Sequence, residues 1–221
     1  MIKSALHKLF VTLFFLFIFL NSNCQGQVSP AYPAYPAYSA TVTGSVATAL
    51  TGAPLPASGA ISSVAINNSG NAIIGGYNSS GSSLAVAYRV SSSTNAATPI
   101  TGLAAFGLIY SVAINNNGDA IIGGGDSIST GVPFGCRVLS GSDAATAITP
   151  LPANGSINSV AINDSGAAII GGDSSSGLSV PIAYRVTAAG VATAITPLPA
   201  SGTIVSVAIN DSSAAIIGGG R

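Results

Sequence analysis

Ser63-Val64-Ala65-Ile66-Asn67-Asn68-Ser69-Gly70-Asn71-Ala72-Ile73-Ile74-Gly75-Gly76 is the stretch that decides how this chain is read. It returns with few changes at residues 111–124, 159–172 and 206–219. Val64, Val112, Val160 and Val207 mark a period of 48, 48 and 47 residues. A period in the forties belongs to propeller blades and is too long for a leucine-rich or simple β-helix rung.

Each period divides into four strand-like pieces. Residues 61–67 alternate, with Val64 and Ile66 on one face and Ser63, Ala65 and Asn67 on the other. Asn67-Asn68-Ser69-Gly70 then makes a tight turn, because Asn and Gly tolerate the left-handed backbone a hairpin requires. Residues 71–75 form a short Ile-rich piece that runs into Gly-Gly. Residues 84–90 alternate again, Val86, Tyr88 and Val90 opposite Ala85, Ala87 and Arg89. The fourth piece is the Thr/Ala/Ile run seen at residues 192–196, closed by Pro-Leu-Pro. Helical caps and helical periodicity are missing throughout. The predicted class is all-β, a β-propeller-like repeat array of four-stranded antiparallel blades. One such sheet buries too little alone, so the bulky face of each must fill against the small-residue face of the next.

Counting half-repeats leaves two orphans. Third-and-fourth pairs fall at residues 37–50, 84–100, 132–148 and 181–195, and the last first-and-second pair ends just before Arg221. Pairing of the orphans would close a four-bladed ring and remove exposed strand edges. The alternative is a segment of a longer array or larger propeller.

The N-terminal region has a different composition. Residues 1–8 are short and positive, and Leu9 to Leu20 is a continuous apolar run of signal-peptide length. Cys24 and Gly26 are small residues at the −3 and −1 positions of a cut before Gln27, so residues 1–26 read as a secretory signal peptide. A lipoprotein cut before Cys24 and an uncleaved anchor are the rival readings; the only membrane attachment expected runs through the leader or a lipid on Cys24. Residues 27–36 read as a Pro-Ala-Tyr spacer of polyproline type, and residues 37–221 as the repeat domain. The expected location is secreted, extracellular or cell envelope.

Composition narrows the chemistry. Charged residues make up 5% of the chain, against about 25% in an average soluble domain. Beyond residue 8 there is no Lys, His or Glu, and four Arg stand against six Asp. That balance excludes an electrostatic nucleic-acid binder. Acid–base and nucleophilic catalysis lack a His or Glu to work with, zinc lacks ligands, and no cofactor is expected. Asp164 and Asp211 take the places of Asn68 and Asn116 and read as turn residues; Asp126 and Asp173, after the Gly-Gly runs, are the weak calcium candidates. Cys136 occupies the place of Tyr88 and Tyr184 and reads as a small buried apolar residue; its one alternative is a disulfide to Cys24, if that residue survives processing. Arg89, Arg137 and Arg185, spaced by 48 residues on the third piece, are the ligand candidates: a ring of guanidiniums for an anionic glycan or carboxylate. The competing reading is that each Arg bridges turn carbonyls or an Asp, and Ser39 at the fourth position weakens a ring.

The pattern Ser-x-Ala-Ile-Asn-(Asn/Asp)-x-Gly-x-x-Ile-Ile-Gly, followed by the strand Val86-Ala87-Tyr88-Arg89-Val90, resembles the HAF-type extracellular repeat of bacteria. The resemblance covers residues 37–221. It departs where Val86 or Ile182 stands for the family's His, where Ile-Ile stands for Val-Val, and where Ser213 replaces the turn Gly. The array is also similar to propeller-like passenger repeats of bacterial autotransporters. Neither resemblance implies a catalytic residue. The function expected is a secreted or cell-surface non-enzymatic repeat protein, a binding or adhesion module for an unidentified glycan or protein. The alternative is a truncated passenger or structural envelope segment with no ligand of its own.

Overall fold

The computed structural model describes residues 49–53, 55–79, 83–126, 131–174 and 179–220. All belong to one unit, Ala47–Arg221. The leader, the spacer, Cys24, Ser39 and most of the first half-repeat lie outside the described residues.

Every described element is a strand. The first sheet holds β1 (Thr51–Gly52), β2 (Gly59–Ile66), β3 (Ala72–Asn78), β4 (Leu84–Val90) and β5 (Ala96–Pro99). The second holds β6 (Leu108–Ile114), β7 (Ala120–Gly125), β8 (Pro133–Val138) and β9 (Ala145–Ala147). The third holds β10 (Ser156–Ile162), β11 (Ala168–Ser174), β12 (Val180–Val186) and β13 (Ala192–Ala194). The fourth is the hairpin β14 (Thr203–Ile209) and β15 (Ala215–Gly220). Within each sheet consecutive strands pair antiparallel, and β1 adds to β5 in parallel. The four strand-like pieces per period are therefore a four-strand meander. The sheets stack in chain order, β6 against β2 and β3, β10 against β6 and β7, β14 against β10 and β11.

No closed ring forms among the described residues. The fourth sheet stands as two strands, and Val64 on the first sheet is 63% exposed. Most of the complementary half-repeat, residues 37–48, lies outside the described residues.

A bulge corrects the simple alternation read from residues 61–67. The register slips between Ile61 and Ser63, and at the same place in the copies: Ile109/Ser111, Ile157/Ser159 and Ile204/Ser206. The extra residue turns the first Ile onto the face of the Val three positions later. Ile109 and Val112 therefore point together at the preceding sheet.

The Gly-Gly runs receive that pair. A Cβ on Gly75 would lie 2.8 Å from both Ile109 Cγ2 and Val112 Cγ1. On Gly123 it would lie 2.6 Å from Ile157 Cγ2 and 2.7 Å from Val160 Cγ1, and on Gly171 2.5 Å from Ile204 Cγ2 and 2.9 Å from Val207 Cγ1. The second Gly of each run clears the bulge of its own sheet: a Cβ on Gly76, Gly124 or Gly172 would overlap the carbonyl of Ala60, Leu108 or Ser156. Ile73, Ile121 and Ile169, two residues before the first Gly on the same face, are fully buried against the same neighbours. The core is thus a series of sheet-to-sheet joints.

Gly123→Ala puts a methyl where Ile157 and Val160 already meet backbone. We expect it to destabilise the fold by about 1–3 kcal/mol, read as a lower urea midpoint with an unchanged slope.

Candidate functional site

The turn after the first strand of each sheet begins with Asn. Asn67 Oδ1 accepts from the N–H groups of Ser69 (3.1 Å) and Asn71 (3.0 Å). Asn115, Asn163 and Asn210 hold their turns alike, accepting from Asp119 N–H (2.8 Å), Ala167 N–H (2.9 Å) and Ala214 N–H (2.8 Å). The amide ends then reach across the stack. Asn67 Nδ2 donates to Asn115 O (3.2 Å), Asn115 Nδ2 to Asn163 O (3.0 Å) and Asn163 Nδ2 to Asn210 O (3.0 Å). The amide puts an acceptor and a donor on separate atoms of one short side chain, and Asp would lack the donor.

The next residue of each turn makes a second row. Asn68 N–H donates to Asn116 Oδ1 (3.1 Å), Asn116 N–H to Asp164 Oδ1 (2.9 Å) and Asp164 N–H to Asp211 Oδ1 (3.2 Å). Asn116 Nδ2 also donates to Asp164 Oδ2 (2.8 Å). These bonds from the side chain and backbone of Asn116 hold the Asp164 carboxyl below its ordinary pKa, so it is ionised at neutral pH. The row asks only for an acceptor, which is why Asn and Asp interchange in it. Both rows, with Ile66, Ile114, Ile162 and Ile209, line a shallow polar trough of about 340 Å³. A second hollow of about 210 Å³ lies beside it, lined by Asn67, Asn71, Arg89, Asn116, Asn117 and neighbouring residues.

The three arginines follow one rule. Nη1 of each donates to the turn carbonyl of the next sheet: Arg89 to Gly118 O (2.7 Å), Arg137 to Gly166 O (2.7 Å), Arg185 to Ser213 O (2.8 Å). Arg89 adds Leu139 O, Ser142 O and an ion pair with Asp143 at 3.3 Å. Arg137 is buried and pairs with Asp119 at 3.0 Å, while its Nε has no partner among the described residues. Arg185 is exposed and keeps donors toward solvent. Each guanidinium is a tie between sheets first, and Arg89 alone of the three lines the smaller hollow.

Cys136 is free and buried, and burial pushes its thiol up to about 11. Asp173 accepts from Ser156 Oγ (2.6 Å) and Asn158 Nδ2 (3.3 Å) within its own sheet. Among the described residues no three His, Cys, Asp or Glu side chains gather as metal ligands, and no helix is long and apolar enough to cross a membrane. The Asn rows, read from the sequence as turn formers, are the polar residues that reading placed too narrowly. The available signal was that the first Asn never becomes Asp in four copies, whereas the second does twice.

No family model matches the chain, and no curated protein matches it. A solved structure from Xanthomonas campestris, described as a gluconolactonase important in glucose secondary metabolic pathways, is similar over 71% of this chain at 10% identity with a TM-score of 0.44. The match spans 53% of that protein's length. That neighbour is described as an enzyme, so the likeness lends no support to the expected non-enzymatic adhesion module. A likeness of this size carries no activity over to the present chain.

Two substitutions test the roles of the polar ties. Asn115→Asp exchanges the amide donor for an oxygen facing Asn163 O. It should cost about 1–3 kcal/mol in urea unfolding at neutral pH, where the carboxylate is charged. Arg137→Lys keeps the charge but loses the fork that reaches Gly166 O and Asp119 together. A loss of about 1–3 kcal/mol in the same measurement marks it as a structural tie.

Proposed function

We propose that the trough over the four turns binds a neutral, polyhydroxylated ligand such as a small polyol or a segment of glycan, on sheets that are blades of a propeller-like array. The observation that carries this reading is the trough's composition. Asn and Asp residues of four turns, with the Ile that precedes each turn, line one hollow of about 340 Å³. Paired hydroxyls hydrogen-bond to Asn and Asp in two directions, and the C–H faces of a sugar ring pack on Ile. Ionised Asp164 and the exposed Asp211 disfavour an anion at the same place. Asn68, Asn116 and Asp211 are exposed, above an inner row whose middle members Asn115 and Asn163 are buried.

Titration calorimetry with a panel of neutral mono- and oligosaccharides and polyols tests the reading. Saturable heat should appear with at least one member. Asn116→Ala should weaken that binding about 5- to 30-fold, the loss of one or two hydrogen bonds. Its side chain is exposed but ties Asn68 N–H and Asp164, so the melting temperature should fall slightly, and binding is compared where both proteins are folded. Silence across the panel, or binding indifferent to Asn116→Ala, overturns it.

A further inference from the structure

The two ends of the stack are the two halves of one joint. At each internal joint the front of a sheet presents an Ile and a Val three residues apart, Ile109 with Val112 for example, and these are 0% and 6% exposed. Their counterparts on the first sheet, Ile61 and Val64, are 37% and 63% exposed, and Ile66 is 69% exposed. At each internal joint the back of a sheet presents a buried Ile followed by the receiving Gly, as in Ile169 and Gly171. Their counterparts on the last hairpin are Ile216, which is 76% exposed, and Gly218, whose added Cβ would meet only Ser206 O at 4.0 Å.

The unused polar groups match as well. Val112, Val160 and Val207 N–H donate to Ser63, Ser111 and Ser159 Oγ of the preceding sheet at 3.1, 3.2 and 3.1 Å. Ser206 is the next hydroxyl in that series and Val64 N–H the next donor, and among the described residues neither makes this bond. Among the described residues, Asn210 Nδ2 and Asp211 N–H also lack the bonds their copies make, as do the second lone pair of Asn67 O and Asn68 Oδ1 at the other end. Internal joints seat a first strand mainly on the first two strands of the sheet before it. The hairpin of β14 and β15 offers those two strands.

We propose that the first sheet of one copy of this chain docks on the last hairpin of a second copy, head to tail, repeating the internal joint. Ile61 and Val64 of one molecule would enter the space above Gly218 of the other, with Val64 N–H donating to Ser206 Oγ, Asn210 Nδ2 to Asn67 O and Asp211 N–H to Asn68 Oδ1. A second copy is the occupant because each chain carries both complementary surfaces, residue for residue. Such a contact is heterologous, so it extends into a chain of molecules or closes as a ring.

Sedimentation velocity on protein purified from cells expressing the full chain, over about a hundredfold range of concentration, reads the association. Wild-type protein should assemble in multiples of the protomer. Gly218→Val fills the back and Val64→Asp charges the front, and both positions are open enough to leave the fold intact. Each variant alone should be monomeric. An equimolar mixture should give a one-to-one pair that grows no further, because each variant retains one good surface. Ile216→Asp and Ile66→Asp serve the same purpose if either first choice fails to fold. A monomeric wild type at every concentration overturns the proposal, since the ends are then covered within the molecule or by something else. Assembly indifferent to both variants, or a mixture that stays monomeric, overturns it equally.

Discussion

Everything in this molecule depends on how closely one sheet can approach the next. Gly75, Gly123 and Gly171 have no side chain at the points where Ile and Val of the following sheet press down, within a Cβ's reach at 2.5–2.9 Å. That approach buries Ile73, Ile121 and Ile169 completely. It also sets the spacing at which the polar ties meet: Ser hydroxyl to Val N–H, Asn amide to Asn carbonyl, Arg to turn carbonyl. A chain with 5% charged residues and no Trp has few other means of holding sheets together. Small residues and amides replace the large aromatics and ion pairs that most cores and surfaces use.

The polar ties share the joint with the apolar contact and are arranged by depth. Asn115 and Asn163 are buried and satisfied on both ends, so they cost nothing in unpaired groups. Asn116 and Asp164, further out, exchange bonds near solvent. Arg137 departs from the pattern: its partner Asp119 comes from its own sheet, and its Nε is left without an acceptor among the described residues. Arg89 uses its Nε on Asp143 of the next sheet, and the corresponding position after Arg137 is Gly190.

The sequence was legible where one residue type has one local use. The period, the four-strand meander, the turns at Asn-Asn-Ser-Gly and the all-β class follow from spacing and pattern. Ring closure did not follow, because counting half-repeats says what is available to pair and nothing of what pairs. The bulge at Ile61/Ser63 was also hidden: its cause is the geometry of two strands together, and residues 61–67 look regular when read alone. The same limit applies to the candidate site. Arg89, Arg137 and Arg185 stood out by charge, yet their first commitment is to carbonyls 28 or 29 residues ahead. The Asn rows looked like turn chemistry, and more than half of the hydrogen bonds named for them leave the turn.

The period shortens once, from 48 to 47 residues, and the joint does not register it. The missing residue falls in the turn near Gly190, while Ile204 and Val207 still sit over Gly171 as their copies do. Connecting loops are thus free to drift in length, and the joint residues are not. Because each joint is made by the same few side chains on both sides, a whole repeat can be duplicated or lost in the gene without a matching change elsewhere.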